Sequence, residues 1–367
     1  MDTERAGPKL TKKLLVVWAV IGLLLALADS SGAHENTHSE SVEKVDRSMT
    51  VDPEAIVTLC VASGTLKVRG WEKNEIHVRS LDAAQIEFRR IDRIKDTTKP
   101  ATRVDVMVLD RPAATNPRLD CQALASVEMD VPANATVQVQ TRDGDITIVG
   151  VAGAYAGSQN GDIVIERATK LVEAGSVGGS IFLKDSSGRV NLSSAGGVVE
   201  VTNLKPVTDE DTLEVGTVSG DIQLNRVSNP KVIAKTVNGT VTMTGPLAKS
   251  GFYGFTNMTG DLVLAMPHDA SFQLNAKVSD KHDIVSDFAL KYLSEIPPPP
   301  PAKPGKAPEP KGKVLPRTGP VVAPIVVEKP TVIASPYVLR RVNAIFGTGD
   351  ATIQIASFGG TVHLKKI

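Results

Sequence analysis

The sequence predicts an all-β chain: a mostly parallel β-solenoid or β-helix of short G-x-Φ-x-Φ strands, Φ being apolar, with a proline-rich insertion. Three observations carry this expectation. The same glycine-led phrase occurs eleven times, the copies recur at a near-constant spacing, and the positions it turns inward are almost all aliphatic. A fixed short period is the mark of a repeat fold, in which each unit buries its apolar face only against its neighbours.

The phrase is densest between Thr141 and Val201. There Gly144 leads to Ile146 and Ile148, Gly161 to Ile163 and Ile165, Gly179 to Ile181 and Leu183, Gly188 to Val190 and Leu192, and Gly197 to Val199 and Val201. Further copies begin at Gly64, Gly220, Gly239, Gly260, Gly349 and Gly360. Residues two apart on a strand share a face. Ile146, Ile148, Ile163, Ile165, Ile181, Leu183, Ile222 and Leu224 are therefore expected inside, and Thr147, Val164, Phe182 and Gln223 outside. The glycines are expected to supply positive φ at a bend before each strand. The intervals of 17, 18, 9 and 9 residues in the dense stretch suit two short strands and two turns per coil. A Ser or Thr three residues before the glycine (Thr141, Ser158, Ser176, Ser194, Thr217, Thr236, Ser357) offers a hydroxyl to the turn.

Taken in order, residues 1–28 read as a signal peptide or an uncleaved anchor. Lys12 and Lys13 precede an apolar run that ends in Ala26-Leu27-Ala28, a small-x-small cleavage site. The run is short for a membrane span. Residues 29–50 are polar and aperiodic and read as a flexible leader, with His34 and His38 in a solvated tail. Residues 51–290 form the expected solenoid domain. Its first strands are placed at residues 55–62, 65–69 and 75–80, with Trp71 capping the end of the core. Residues 82–126 fit the coil pattern poorly; strands are expected at 86–91 and 103–109, around a solvated basic cluster of Arg89, Arg90, Arg93, Lys95 and Lys99. Residues 202–212 and 225–234 read as longer loops. Residues 291–336 are the insertion, with 13 of the chain's 23 prolines, for which polyproline II is the expected conformation. The phrase returns afterwards, so residues 337–367 read as closing strands that cover the C-terminal end of the stack. Residues 51–60 and Trp71 are expected to cover the other end.

The residues give little sign of chemistry. Asp145, Asp162, Asp221, Asp261 and Asp350 follow their glycines, but Thr65, Ser180, Arg189, Val198, Thr240 and Thr361 interrupt the column. A calcium roll needs dense carboxylates, so these aspartates are expected to stabilise turns. No G-x-S-x-G, H-E-x-x-H, phosphate-binding loop or dinucleotide fingerprint occurs. The six histidines, His77, His268, His282 and His363 among them, are scattered. No catalytic, metal or cofactor-binding residue is assigned. Lys+Arg and Asp+Glu are equal at 41 each, which argues against a nucleic-acid partner. Cys60 and Cys121 suit either one disulfide of an exported chain or, since Cys60 lies in an apolar strand, a buried free thiol.

Four stretches resemble the bacterial putative-adhesin domain family: GTLKVRGWEKNEIHV at residues 64–78, VPANATVQVQTRDGDI at 131–146, TVSGDIQL at 217–224 and FGTGDATIQIASFGGTVHL at 346–364. The resemblance spans residues 51–290 and 337–367, with residues 82–126 and the proline insertion as departures. It implies a β-solenoid in a bacterial periplasm, cell envelope or surface and a non-enzymatic role. The expectation is then an exported monomeric adhesin or binding scaffold. Its partner is a glycan or protein of the envelope or surface, and it meets a membrane only through its N-terminal segment if that is uncleaved. The alternatives are a carbohydrate-active β-helix enzyme, which would gather carboxylates in a groove, and a self-polymerising scaffold stacking end to end.

Overall fold

The computed structural model describes residues 45–82, 84–92, 98–109, 121–279, 281–293 and 339–367. The expected signal segment, the histidines of the leader and the proline-rich run lie outside these residues, as do Arg93 and Lys95. The described chain is all-β and mostly parallel, without a helix.

It opens with β1 (Val45–Ser63), β2 (Leu66–Trp71), β3 (Glu75–Ser80), β4 (Gln85–Arg90), β5 (Ala101–Leu109) and β6 (Val127–Pro132). The regular coils follow: β7 (Thr136–Asp143) with β8 (Ile146–Val149), β9 (Gly153–Asn160) with β10 (Ile163–Glu166), β11 (Leu171–Ser176) with β12 (Ile181–Ser187), and β13 (Arg189–Ser194) with β14 (Val199–Lys205). Then come β15 (Thr212–Ser219) with β16 (Ile222–Val227), β17 (Lys231–Asn238) with β18 (Val241–Thr244), and β19 (Phe252–Thr259) with β20 (Leu262–Met266). The chain ends with β21 (Phe272–Ser279), β22 (Ile284–Ser286), β23 (Lys291–Tyr292), β24 (Leu339–Phe346), β25 (Ala351–Ser357) and β26 (Val362–Lys366).

Each regular coil places one strand in each of two facing sheets. Sheet A carries β8, β10, β12, β14, β16, β18 and β20 as parallel neighbours. Sheet B carries β7, β9, β11, β13, β15, β17 and β19 likewise. The register stacks like positions of successive coils. Ile146, Ile163, Ile181, Val199, Ile222, Val241 and Leu262 form one inward column of sheet A, fully buried throughout. Facing columns in sheet B are smaller where sheet A is large: Ala154, Ala156 and Ala174 sit in the coils of Ile163, Ile165, Ile181 and Leu183, while Tyr253 and Phe255 fill a later coil. Alternating large and small side chains lets two aliphatic faces interdigitate at constant sheet separation. Thr147, Val164 and Phe182 lie half-buried on the outer face and Gln223 is exposed, as the period-two pattern requires.

The ends differ from the expectation. Strand β1 starts at Val45, so residues 45–50 of the expected leader are ordered and pair antiparallel with β3. The coil β1–β2 does not lie at the end of the stack. It is inserted between β5–β6 and β7–β8. The C-terminal strands are likewise not the last coil. Strand β25 lies between β19 and β21, and β26 between β20 and β22. Antiparallel strands take the outermost positions at three of the four sheet ends: β4 against β5, β3 against β6 with the β1 extension outside it, and β24 against β21 with β23 outside it; at the fourth, β22 lies parallel to β26. Antiparallel partners can reverse direction through short turns, which lets the chain cover an open coil without starting another.

Smaller corrections share this cause. Trp71 does not cap the core; its indole N–H donates to the Glu75 carbonyl at 2.8 Å across the β2–β3 turn, and its ring stacks on His77. Arg89 and Arg90 do lie on an edge strand, as expected, but each is paired there, Arg89 with Asp105 at 2.8 Å and Arg90 with Asp92 at 2.6 Å. The stretches expected as long loops shrink to connections of residues 206–211 and 228–230, since β14 runs to Lys205, β15 starts at Thr212, β16 runs to Val227 and β17 starts at Lys231.

Candidate functional site

The repeated turn residues come first, since they carry the strongest sequence signal. Gly64, Gly144, Gly161, Gly179, Gly197, Gly220, Gly239, Gly260 and Gly360 form one column at the corner leading into sheet A. A Cβ on each would fall far inside van der Waals contact with a backbone carbonyl of the neighbouring coil, from Gly144 onward that of the neighbouring glycine. Close coil-to-coil approach is therefore the shared reason for glycine. Positive φ is not: Gly161, Gly179, Gly197, Gly220 and Gly360 are outside the positive-φ set. Gly188 and Gly349 have φ of +99° and +81° and lead into strands of sheet B, so they belong to another corner.

Beside the glycines runs a ladder of hydroxyls. Ser158, Ser176, Ser194 and Thr236 donate to the carbonyls of Gly144, Gly161, Gly179 and Gly220 at 2.9–3.2 Å, and Ser357 donates to Gly360 at 3.3 Å. Asn257 performs the same task for Gly260 with its side-chain amide, a substitution the Ser/Thr pattern did not anticipate. The aspartates complete the corner. Asp145, Asp162, Asp221 and Asp261 each accept the backbone N–H of the following coil, from Asp162, Ser180, Thr240 and Thr361, at 2.7–2.9 Å. Asp350 lies elsewhere and accepts from the Thr348 hydroxyl at 2.8 Å. Among the described residues no group of His, Cys, Asp or Glu is arranged to hold a metal ion. The corner is structural.

A second polar cluster sits on the outer face of sheet A near the N-terminal end. Asp130, only 5% exposed, accepts from Arg69 at 2.8 Å and faces Arg79 and His77, while His77 also meets Asp46 of the β1 extension. Its charges face one another across β1, β2, β3 and β6. Cys60 and Cys121 are joined by a disulfide with a Cα–Cα distance of 4.9 Å.

An open cleft lies on the outer face of sheet B. It has a volume of about 390 Å³ and crosses β7, β9, β11 and β13. Two outward columns form it. One runs Gln138, Tyr155, Glu173, Asn191; the other runs Gln140, Gly157, Gly175, Ser193. The glycines lower the middle of the second column, so the polar side chains of the first stand beside a shallow floor. Thr58 donates to the Gln138 amide at 3.5 Å. Among the described residues, Gln140, Tyr155, Glu173, Asn191 and Ser193 use no side-chain donor or acceptor on the protein itself. The period-two pattern places these residues outside, but their grouping follows only from the register between coils.

A family model covers most of this architecture, matching residues 35–288. The chain belongs to the Toastrack DUF4097 family. Solved structures similar to this Toastrack chain include a putative adhesin from Parabacteroides merdae, at 11% identity, TM-score 0.35, covering 61% of this chain and 89% of that one. A putative adhesin from Bacteroides fragilis shows 10% identity, TM-score 0.31, and coverage of 88% and 97%. A putative cell adhesion protein from Clostridium sporogenes shows 9% identity, TM-score 0.20, and coverage of 89% and 100%. No curated protein matches the Toastrack chain.

Proposed function

We propose that this Toastrack chain is an exported, non-enzymatic protein of the bacterial envelope that acts by binding, as an adhesin or scaffold, through the outer face of sheet B. The observation that carries the reading is the cleft, in which Gln140, Tyr155, Glu173, Asn191 and Ser193 present side chains without protein partners on a regular stack of paired strands. Binding residues are commonly presented in this way, on a scaffold that holds them without induced folding. The N-terminal targeting pattern and the oxidised Cys60–Cys121 pair fit export.

The edges favour a monomer over a filament. Among the described residues, edge strand β22 has three residues, the β1 extension carries Asp46 and Arg47, β4 carries Arg89 and Arg90, and β24, which the two-residue β23 covers only at Ala344 and Ile345, carries Arg340 and Arg341. Short and charged edges oppose strand addition. The test is retention of the purified full chain on a bacterial envelope fraction, with release of reducing sugar and molar mass followed in parallel. Retention without sugar release, at a mass independent of concentration, is the expected result. Sugar release would favour an enzyme, and growth in mass with concentration would favour a polymer.

A further inference from the structure

We infer that the sheet B cleft takes a linear, uncharged pyranose chain lying along the stack axis, across β7, β9, β11 and β13. The inference rests on the binding role proposed above and names its ligand.

Four features point to such a chain. The first is spacing. The columns that wall the cleft advance one coil at a time, about 4.8 Å per strand, close to the advance of one pyranose in an extended, equatorially linked chain. Successive sugars then meet successive coils: Tyr155, Glu173 and Asn191 in one column, Gly157, Gly175 and Ser193 in the other. The second is chemistry. Amides, a phenol, a hydroxyl and one carboxylate offer both donors and acceptors to sugar hydroxyls, and the Tyr155 ring offers an apolar edge. The third is charge. Among the described residues Glu173 is the only ionic group lining the cleft and no Lys or Arg lines it, so uronates and phosphates meet a carboxylate without a cation. The fourth is the position within the sheet. A peptide adding as a strand needs a free sheet edge, whereas β7, β9, β11 and β13 have partners on both sides.

The floor fits the same ligand. A Cβ on Gly175 would meet Ser193 Oγ at 3.4 Å, one on Gly157 would meet Gln140 Cγ at 3.8 Å, and neither residue has positive φ. Unlike the corner glycines, these two are not required by the backbone. Glycine inside a strand often marks close approach of a ligand.

The test is calorimetric titration of the full chain with cellohexaose, chitohexaose and hexagalacturonate. The wild-type chain should bind at least one of the two neutral hexasaccharides and not the galacturonate. Gly175→Val should weaken that binding at least tenfold without lowering the unfolding midpoint, because valine suits a strand and a Cβ there comes no closer than 3.4 Å to any neighbour. Asn191→Ala, which leaves the backbone unaltered, should weaken it as well, while Thr147→Val on the outer face of sheet A should not. Failure to bind either neutral hexasaccharide, tighter binding of hexagalacturonate, or equal binding by Gly175→Val and Asn191→Ala would overturn the inference. Envelope retention separates the two levels. If Gly175→Val is retained as well as the wild type, the cleft assignment fails and the envelope role stands. If the wild type binds a hexasaccharide but is not retained on the envelope, the cleft stands and the envelope role fails.

Discussion

A methyl group on Gly179 would collide with the carbonyl oxygen of Gly161, and both belong to backbones held by parallel pairing, so neither can easily move. Gly179→Ala is therefore expected to lose on the order of 1–3 kcal/mol of stability or more. Gly216→Ala is expected to be neutral or stabilising by up to about 1 kcal/mol, since a Cβ there meets nothing within 4 Å and glycine within a strand is entropically costly. Urea unfolding of the two variants measures the contrast, and equal losses would contradict the stacking argument. The neighbouring aspartates act through one hydrogen bond each. Asp162→Ala frees the Ser180 N–H at an exposed corner and should cost about 0.5–1.5 kcal/mol. Added calcium should leave the melting midpoint of the wild type unchanged, because these carboxylates point along the ladder towards N–H groups and do not converge on a shared point.

At the scale of elements, the strand β19 carries the largest buried side chains of sheet B. Tyr253 is fully buried, and its hydroxyl accepts the Ala248 N–H. Burial pushes the phenol above its ordinary pKa, against the opposing effect of that hydrogen bond. The neutral form is thus favoured in the folded chain. Stability is fully present below the unfolded tyrosine pKa, near 10, and is lost as pH rises towards the higher folded value. Tyr253→Phe should flatten that alkaline loss in thermal melts while lowering stability near neutrality through the unpaired Ala248 N–H. The connection between β14 and β15 shows the opposite balance. Desolvation acts to raise the Asp211 carboxyl, but the Thr208 and Val207 N–H donors, at 2.8 and 2.6 Å, hold it below its usual range.

For the whole molecule, the decisive feature is that the first and last described coils, β1–β2 and β25–β26, are threaded one coil inward. Ile353 and Ile355 of β25 and Val362 and Leu364 of β26 are core residues with a coil on either side. Removing residues 339–367 therefore takes out an interior layer and parts β21 from its parallel partner, as well as removing the β24 cover. Truncation after Leu293 is expected to abolish cooperative unfolding of the C-terminal coils and to cause aggregation. Light scattering and thermal melting test this. A monomer of unchanged stability would show that the strands are dispensable. Replacement of the proline-rich run by a short Gly/Ser linker is expected to leave the melting midpoint nearly unchanged, provided it still spans from Leu293 to Leu339. Interleaved ends also join residues distant in sequence, since β19 pairs with β25 about a hundred positions away. Such long loop closures slow folding.

The period-two alternation by itself determined the strands, their buried faces and the two-strand coil, because burial on one side of a pleat leaves a local trace at every second residue. Ile146, Ile163 and Ile181 could be placed inside from the sequence for that reason. The glycine column was visible too, but its cause was not: positive φ is a property of one residue, whereas the clash of Gly179 with Gly161 exists only once coils are stacked. Only the tertiary structure decided the order of the coils at the two ends, since the phrases at Gly64 and Gly360 specify strands without naming their neighbours. The cleft was hidden for the same reason. Gln138, Tyr155, Glu173 and Asn191 are 17 or 18 residues apart in the chain, and they become a wall only through the register of parallel strands.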